Sequence, residues 1–346
     1  MKLSLINQRR IANFKNNRRG YFSFLAIATL FFVSLFAEFI FNDKPLIVSY
    51  QDSYYFPIFF SYSEKTFGGD FESEANYRDP YLVDLIKKNG WLIFPLFPYS
   101  YDTIITDLDS PTPSPPTMKN WLGTDDQARD VLTRTVYGFR LSMIFGILLA
   151  IISLVIGILA GALQGYFAGL TDLFFQRFLE MWESIPTLYL LIILSSLVTP
   201  SFFWLLFIVS LTGWISYVAV VRAEFLRVRK LDYVLSAKAL GLPDYIIMFR
   251  HVLPNALVAT ITFLPFNISA AITTLASLDF LGFGLPPPTP SLGEIIYQGK
   301  NNLQAPWLGL TAFFTISVML VLLIFAADAL RDSLDHRKTF ANEKKN

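Results

Sequence analysis

The chain has 346 residues, 53% of them hydrophobic, and a mean hydropathy of +0.46, far too apolar for a protein whose whole surface must meet water. A net charge of +1 gives no electrostatic case for nucleic acid. The absence of cysteine excludes disulfides, Cys-based metal sites and thiol catalysis, and His251 and His336 are too few for a His-rich metal centre.

A helix needs about 20 apolar residues to cross the hydrocarbon layer, so long stretches free of Asp, Glu, Lys and Arg mark the spans. Residues 1–20 form a basic tail carrying Lys2, Arg9, Arg10, Lys15, Arg18 and Arg19. The first span occupies residues 21–41. It runs from Tyr21 to Ala37 and ends on Glu38 and Phe39–Phe41, and no small-residue cleavage pattern follows before Asn42-Asp43-Lys44-Pro45, which predicts a retained helix. Residues 42–140 form an insert with aromatic runs at Tyr54–Phe60 and Trp91–Phe97, broken by Phe67-Gly68-Gly69-Asp70 and by the proline-rich stretch Ser110–Pro116. This composition predicts a small ordered insert joined to the next span by a stiff, extended connector.

Residues 141–335 then read as a transport core with five further spans. Leu141–Gly165 contains Gly146, Gly157, Ala160 and Gly161, small residues that let helix backbones approach closely. Ser184–Val221 has no charge over 38 residues, the length of two spans, with Thr199-Pro200-Ser201 as the turn between them. Val252–Leu278 carries Pro254 and Pro265, which membrane bundles tolerate. The last span runs from Trp307 to Ala327, and residues 336–346 are a second tail. With about six spans the N-terminal tail, the loop 222–253 (Arg222, Arg227, Arg229, Lys230, Lys238, Arg250) and the C-terminal tail (Lys338, Lys344, Lys345) share one side. These are the basic regions, so both termini are expected in the cytoplasm and the insert outside.

The cytoplasmic stretch Asp232–Arg250 is the most informative. Asp232 is expected to cap a short helix, Gly241 to stop it in the left-handed conformation, and Pro243 to begin another. The product is a compact helix–turn–helix whose small Ser236, Ala237 and Ala239 would let a partner's groove come close. An amphipathic loop helix lying on the membrane surface fits the same residues.

Ala237, Gly241, Leu253 and Pro254 resemble the EAA loop of ABC-importer permeases, with Leu235 and Ser236 standing where that motif has an acidic residue and its first alanine. Other stretches resemble the dipeptide and oligopeptide branch of that family. They are Trp121–Asp125 with Arg129–Leu132 and Tyr137–Ser142, Gly165–Gly169 with Asp172 and Arg177, Ile185-Pro186-Thr187, Ser277–Gly284 and Asp328–Asp335. Ala128 replaces a usual Gly, and His336 a usual Pro. Phe14–Tyr21, Asn42–Leu46 and Lys300–Trp307 are similar to the E-subunit permeases of Yej importers, which take up oligopeptides and the antibiotic microcin C.

The resemblance implies an all-α membrane protein with the ABC type I importer permease fold, non-catalytic and without a cofactor of its own. Its implied partners are a second homologous permease, a cytoplasmic ABC ATPase that binds ATP and Mg, and a periplasmic peptide-binding protein. It also implies that Tyr233, Ser236, Ala237, Gly241, Leu253 and Pro254 form the ATPase-coupling loop, and it names no substrate-binding residue.

Asp125, Arg129, Asp130, Arg134 and Arg140 alternate in sign, the mark of solvated or mutual ion pairs. Asp328, Arg331, Asp332 and Asp335, three or four apart, are expected to brace the end of the last span. Glu38 and Asp279 fall near outer span ends, where local pairing is expected, and His251 is expected to make a structural hydrogen bond. No phosphate-cradling G-x-x-x-x-G-K-[ST], H-E-x-x-H or G-x-S-x-G run occurs, so nucleotide and hydrolytic chemistry must lie in other chains. Two rivals stay open: an ion-gradient carrier, which needs mid-membrane charges and inverted repeats, and a membrane scaffold whose outer insert binds a partner.

Overall fold

In the computed structural model, which describes residues 5–334, the chain is mostly helical. Lys2, Asp335, His336, Lys338, Lys344 and Lys345 lie outside the described residues. Two helices open it, α1 (Leu5–Asn16) and α2 (Arg18–Leu35), the second apolar because its Phe and Leu run is interrupted by no charge after Arg19. The insert contributes β1 (Ile47–Tyr50), β2 (Ser53–Tyr55), α3 (Pro80–Lys88) and β3 (Gly90–Ile93). The strands pair antiparallel in the order β2-β1-β3, with Val48 opposite both Tyr55 and Leu92. Asp79 caps α3 by accepting the Tyr81 N–H, and Pro80 takes the first helical position, where a missing N–H costs nothing. Val48, Tyr50, Phe67, Leu82 and Ile86 close a small core beneath the sheet. The helical expectation is amended in the insert, where the starts of its two aromatic runs, Tyr54-Tyr55 and Trp91–Ile93, lie in strands that flank Ile47–Tyr50.

The remaining elements are α4 (Val131–Phe167), α5 (Gly169–Glu183), α6 (Thr187–Leu197), α7 (Phe202–Gly213), α8 (Ile215–Val228), α9 (Asp232–Ala239), α10 (Asp244–Ile246), α11 (Leu253–Ile261), α12 (Leu264–Phe280), α13 (Leu292–Asn301) and α14 (Pro306–Leu334). Among the described residues, four helices are long and apolar enough to cross a membrane: α2, α4, the nearly continuous α7 and α8, and α14. A fifth passage is the pair Asp244–Ile261 and Leu264–Phe280, bent by 53°. Pro265 in the first turn of α12 removes a backbone donor at the bend. The sixth expected passage is where the count differs. Helix α6 has only 11 residues, about 16 Å at 1.5 Å per residue, so alone it covers about half a hydrocarbon layer. The turn expected at Thr199–Ser201 is present, and Ser201 caps α7 by accepting the Trp204 N–H.

The chain forms two compact units. One holds residues up to Ala28, Met143–Leu285 and the chain from Ser317; the other holds Thr29–Ser142 and Pro286–Ile316. Residues 286–316, assigned from sequence to the core, thus group with the insert. The reason is chemical. Val131 packs on Ile295, Ala305, Leu308 and Ala312, and Glu294 supplies the carboxylate that buried arginines of the insert side require.

Candidate functional site

The Asp232–Arg250 element starts with Leu231, extended and offering no side-chain cap, so Asp232 is the first helical residue and not the cap expected of it. Its charge still favours the positive end of α9. The helix ends at Leu240 and Gly241, the latter at φ +76°. The Gly241 N–H donates to the Lys238 carbonyl and the Leu242 N–H to that of Ala237, a Schellman closure. Pro243 follows as an extended cap before α10, one position earlier than a proline that begins a helix. A wide π turn over Ile247–Val252 then leads into α11, with Pro254 in its first turn.

Ala237 faces inward. It is buried with Ala162, Tyr166, Val221, Phe225, Val234, Ile247 and Val252, with Leu253 packed against the same cluster. Its small side chain therefore serves the interior of the element and not an approaching partner. Ser236, Gly241 and Pro254 are exposed. The Tyr233 hydroxyl accepts from Asn255 Nδ2 at 2.7 Å and donates to the His251 carbonyl at 3.4 Å, so His251 contributes its backbone to the fold. Beside the exposed Asp232, Lys238, Asp244 and Arg250, the outward surface displays four apolar side chains, Leu235, Tyr245, Phe249 and Leu240, the last 82% exposed. Sequence reasoning missed these four. The signal was the substitution of Leu235 for an acidic residue and the four-residue spacing of Tyr245 and Phe249.

Two helices hold this element. The Tyr166 hydroxyl donates to Asp244 at 2.6 Å. Along α4, a Cβ on Gly157, Gly161 or Gly165 would fall within 2.5–2.8 Å of Tyr217, Val221 or Phe225 of α8, so the two backbones touch through three successive turns. Arg222 grips Asp172 of α5 with two bonds of 2.5 and 2.6 Å.

Farther along the same helices lies a cavity of about 590 Å³ whose polar lining includes Ser153, Glu183, Thr187, Thr212, Ser216 and Asn267. Thr187 and Thr212 hydroxyls meet at 3.4 Å, Ser216 donates to Asn267 Oδ1 at 3.0 Å, and Trp182 donates its indole N–H to the Leu211 carbonyl at 2.9 Å. Glu183 was missed because the third span was started at Ser184, which left the carboxylate outside it. An uninterrupted reading of the Gly169–Leu197 stretch would have found it.

The charged set Asp125, Arg129 and Arg134 proves to be a buried network and not a solvated face. Arg129 holds Asp125 at 2.7 Å and Glu294 at 3.1 Å, while Arg134 lies 3.4 Å from Asp125 and also grips Glu294. Arg134 donates further to the carbonyls of Tyr101 and Pro288. Arg129 precedes α4, so a folded loop rather than helical spacing makes these pairs; Ala128 turns it at φ +61°, where the related pattern has Gly. Burial pushes the Asp126 and Asp130 carboxyls up, against hydrogen bonds to Asp130 from Asn120 and Thr133. Glu38 pairs with Arg140 at 2.8 Å, and Asp279 accepts the Leu285 N–H at 2.8 Å. Asp328, Arg331 and Asp332 line a recess with Asn17 and Arg19.

Residues 153–340 match the model of the binding-protein-dependent transport system inner membrane component. The chain is 54% identical over 337 residues to the inner membrane ABC transporter permease protein YejE of Escherichia coli K12, covering 97% of this chain and 99% of that one. It is 52% identical to the peptidoglycan transport system permease protein YejE of Agrobacterium fabrum C58, over 96% and 93% of the two chains. To the oligopeptide transport system permease protein OppC of Bacillus subtilis 168 it is 31% identical, over 68% of this chain and 77% of that one. The apolar helices accord with these matches, and the chain belongs to this family: it is an inner-membrane permease of the binding-protein-dependent ABC transport systems.

Proposed function

We propose that this permease forms half of the translocation pathway of an ATP-driven oligopeptide importer, microcin C included among its cargoes. A second, homologous permease completes the pathway, a periplasmic binding protein delivers the peptide, and ATP with Mg is bound and hydrolysed by a cytoplasmic partner. Both termini and the Asp232–Arg250 knob face the cytoplasm. The observation that carries this reading is the knob itself, a Schellman-closed turn that displays Leu235, Leu240, Tyr245 and Phe249 above a packed base. An exposed apolar cap on a rigid support suits a groove in another protein. The Agrobacterium relative, named as a peptidoglycan transport permease, favours a second cargo, peptidoglycan fragments.

Purification of the intact membrane complex tests the coupling. Wild type is expected to bring down an ABC ATPase, and Leu240→Asp with Phe249→Asp to lose it while the permease still accumulates. Recovery of equal ATPase with the double variant would remove the knob from the coupling path. Competition between an oligopeptide and a peptidoglycan fragment for uptake separates the two cargoes.

A further inference from the structure

We infer that Glu183 and the hydroxyl and amide groups around it form a cargo-contact site that takes the free ammonium group of a transported peptide, an inference that rests on the peptide-import reading. Depth comes first. Asp172 and Arg222 are paired, and the chain climbs 11 residues along α5 from Asp172 to Glu183 and 10 back along α8 and α7 from Arg222 to Thr212. At 1.5 Å per residue the two paths are about 15–17 Å long, roughly half of a hydrocarbon layer about 30 Å thick. The Trp182–Leu211 and Thr187–Thr212 bonds tie the two paths together at that level. Glu183 is exposed and lines the cavity, and an ionisable group at that depth in a membrane protein is a substrate-path candidate by default.

The lining chemistry then selects the ligand. Among the described residues Glu183 has no ion-pair or hydrogen-bond partner, and no Lys, Arg or His lines the cavity. A single carboxylate without a cation leaves one negative site for one positive group. Ser153 is 2% exposed, lines the same space, and its hydroxyl finds no partner. A buried hydroxyl left so costs about 1–3 kcal/mol until a ligand or water satisfies it. The remaining polar groups are hydroxyls and an amide, each able to donate and to accept. They can therefore meet a peptide backbone in any register, whatever its side chains, and the volume suits a short peptide segment.

An ammonium reaches Glu183 from the peptide N-terminus or from a lysine side chain. The test uses the full complex with its binding protein and ATPase in proteoliposomes, and tetra-alanine, N-acetyl-tetra-alanine and an N-acetylated peptide with one alanine replaced by lysine. Wild type should prefer free over acetylated tetra-alanine by about tenfold or more, as one charged hydrogen bond gives. Glu183→Gln should lower that ratio about tenfold relative to wild type; the binding protein is common to both, so its own selectivity cancels in the comparison. Rescue of the acetylated peptide by lysine assigns the site to any ammonium, and no rescue assigns it to the α-ammonium. An unchanged ratio in Glu183→Gln overturns the site alone, whereas uptake of no peptide by wild type overturns the import reading too. Should that variant not assemble, Glu183→Asp should raise KM for the free peptide only, and equal changes for both peptides overturn the site.

Discussion

Charge is handled in opposite ways at two places in this chain. In the network of Asp125, Arg129, Arg134 and Glu294, each charge faces one of opposite sign, and carbonyls take up further guanidinium donors. In the cavity of α4, α5 and α8, the Glu183 carboxylate is left without a partner among the described residues. Paired charges fix a fold; an unpaired one lining a cavity has something left to bind. The two regions differ in whether the protein itself completes the electrostatics.

The largest way to break this contrast is Arg134→Met. It leaves Arg129 alone to face both Asp125 and Glu294, and removal of one partner from a buried pair costs about 3–5 kcal/mol, so the permease should fail to accumulate in membranes. Normal accumulation would place the network among the dispensable ion pairs. A medium effect is expected from Gly161→Leu, whose Cβ would meet Val221 Cβ at 2.8 Å and the Val218 carbonyl at 2.9 Å. Overpacking of this kind costs about 1–3 kcal/mol, and it should lower the thermal midpoint of the detergent-solubilised complex. The smallest effect sharpens the role of burial. Hydrogen bonding from Lys44 holds the Glu74 carboxyl below its ordinary range, yet both partners are well exposed. A lowered carboxylate contributes stability that is present above its unfolded pKa and is lost as pH falls through the folded one. Glu74→Gln should thus remove only about 0.2–1 kcal/mol at neutral pH, and the difference from wild type should vanish in acid, as thermal melts across pH would read.

Most of the helical plan could be read from the chain, because apolar runs without charge have few alternatives to spanning helices. The turn at Thr199–Ser201 and the left-handed Gly241 were equally readable, since both depend on local conformation. What escaped depends on contacts distant in sequence. Glu294 lies more than 150 residues from the arginines it satisfies, and nothing near it announces that role. The inward orientation of Ala237 follows from Tyr166 and Val221 behind it, so a motif that suggested an outer contact was describing an inner one. Asp232 failed as a cap because Leu231 already occupies the extended position. Glu183 was lost to a boundary drawn one residue too late.

The glycines of α4 carry a mechanical consequence. Where Gly157, Gly161 and Gly165 bring its backbone against Tyr217, Val221 and Phe225, no side-chain layer is left to slip, and the pair behaves as one beam. Ala162 and Tyr166 of one helix and Val221 and Phe225 of the other are also the bed on which Ala237 rests. A shove delivered at Leu240 therefore cannot be absorbed by either helix alone, and at the far end of the beam it arrives at Ser153 on one member and Ser216 on the other.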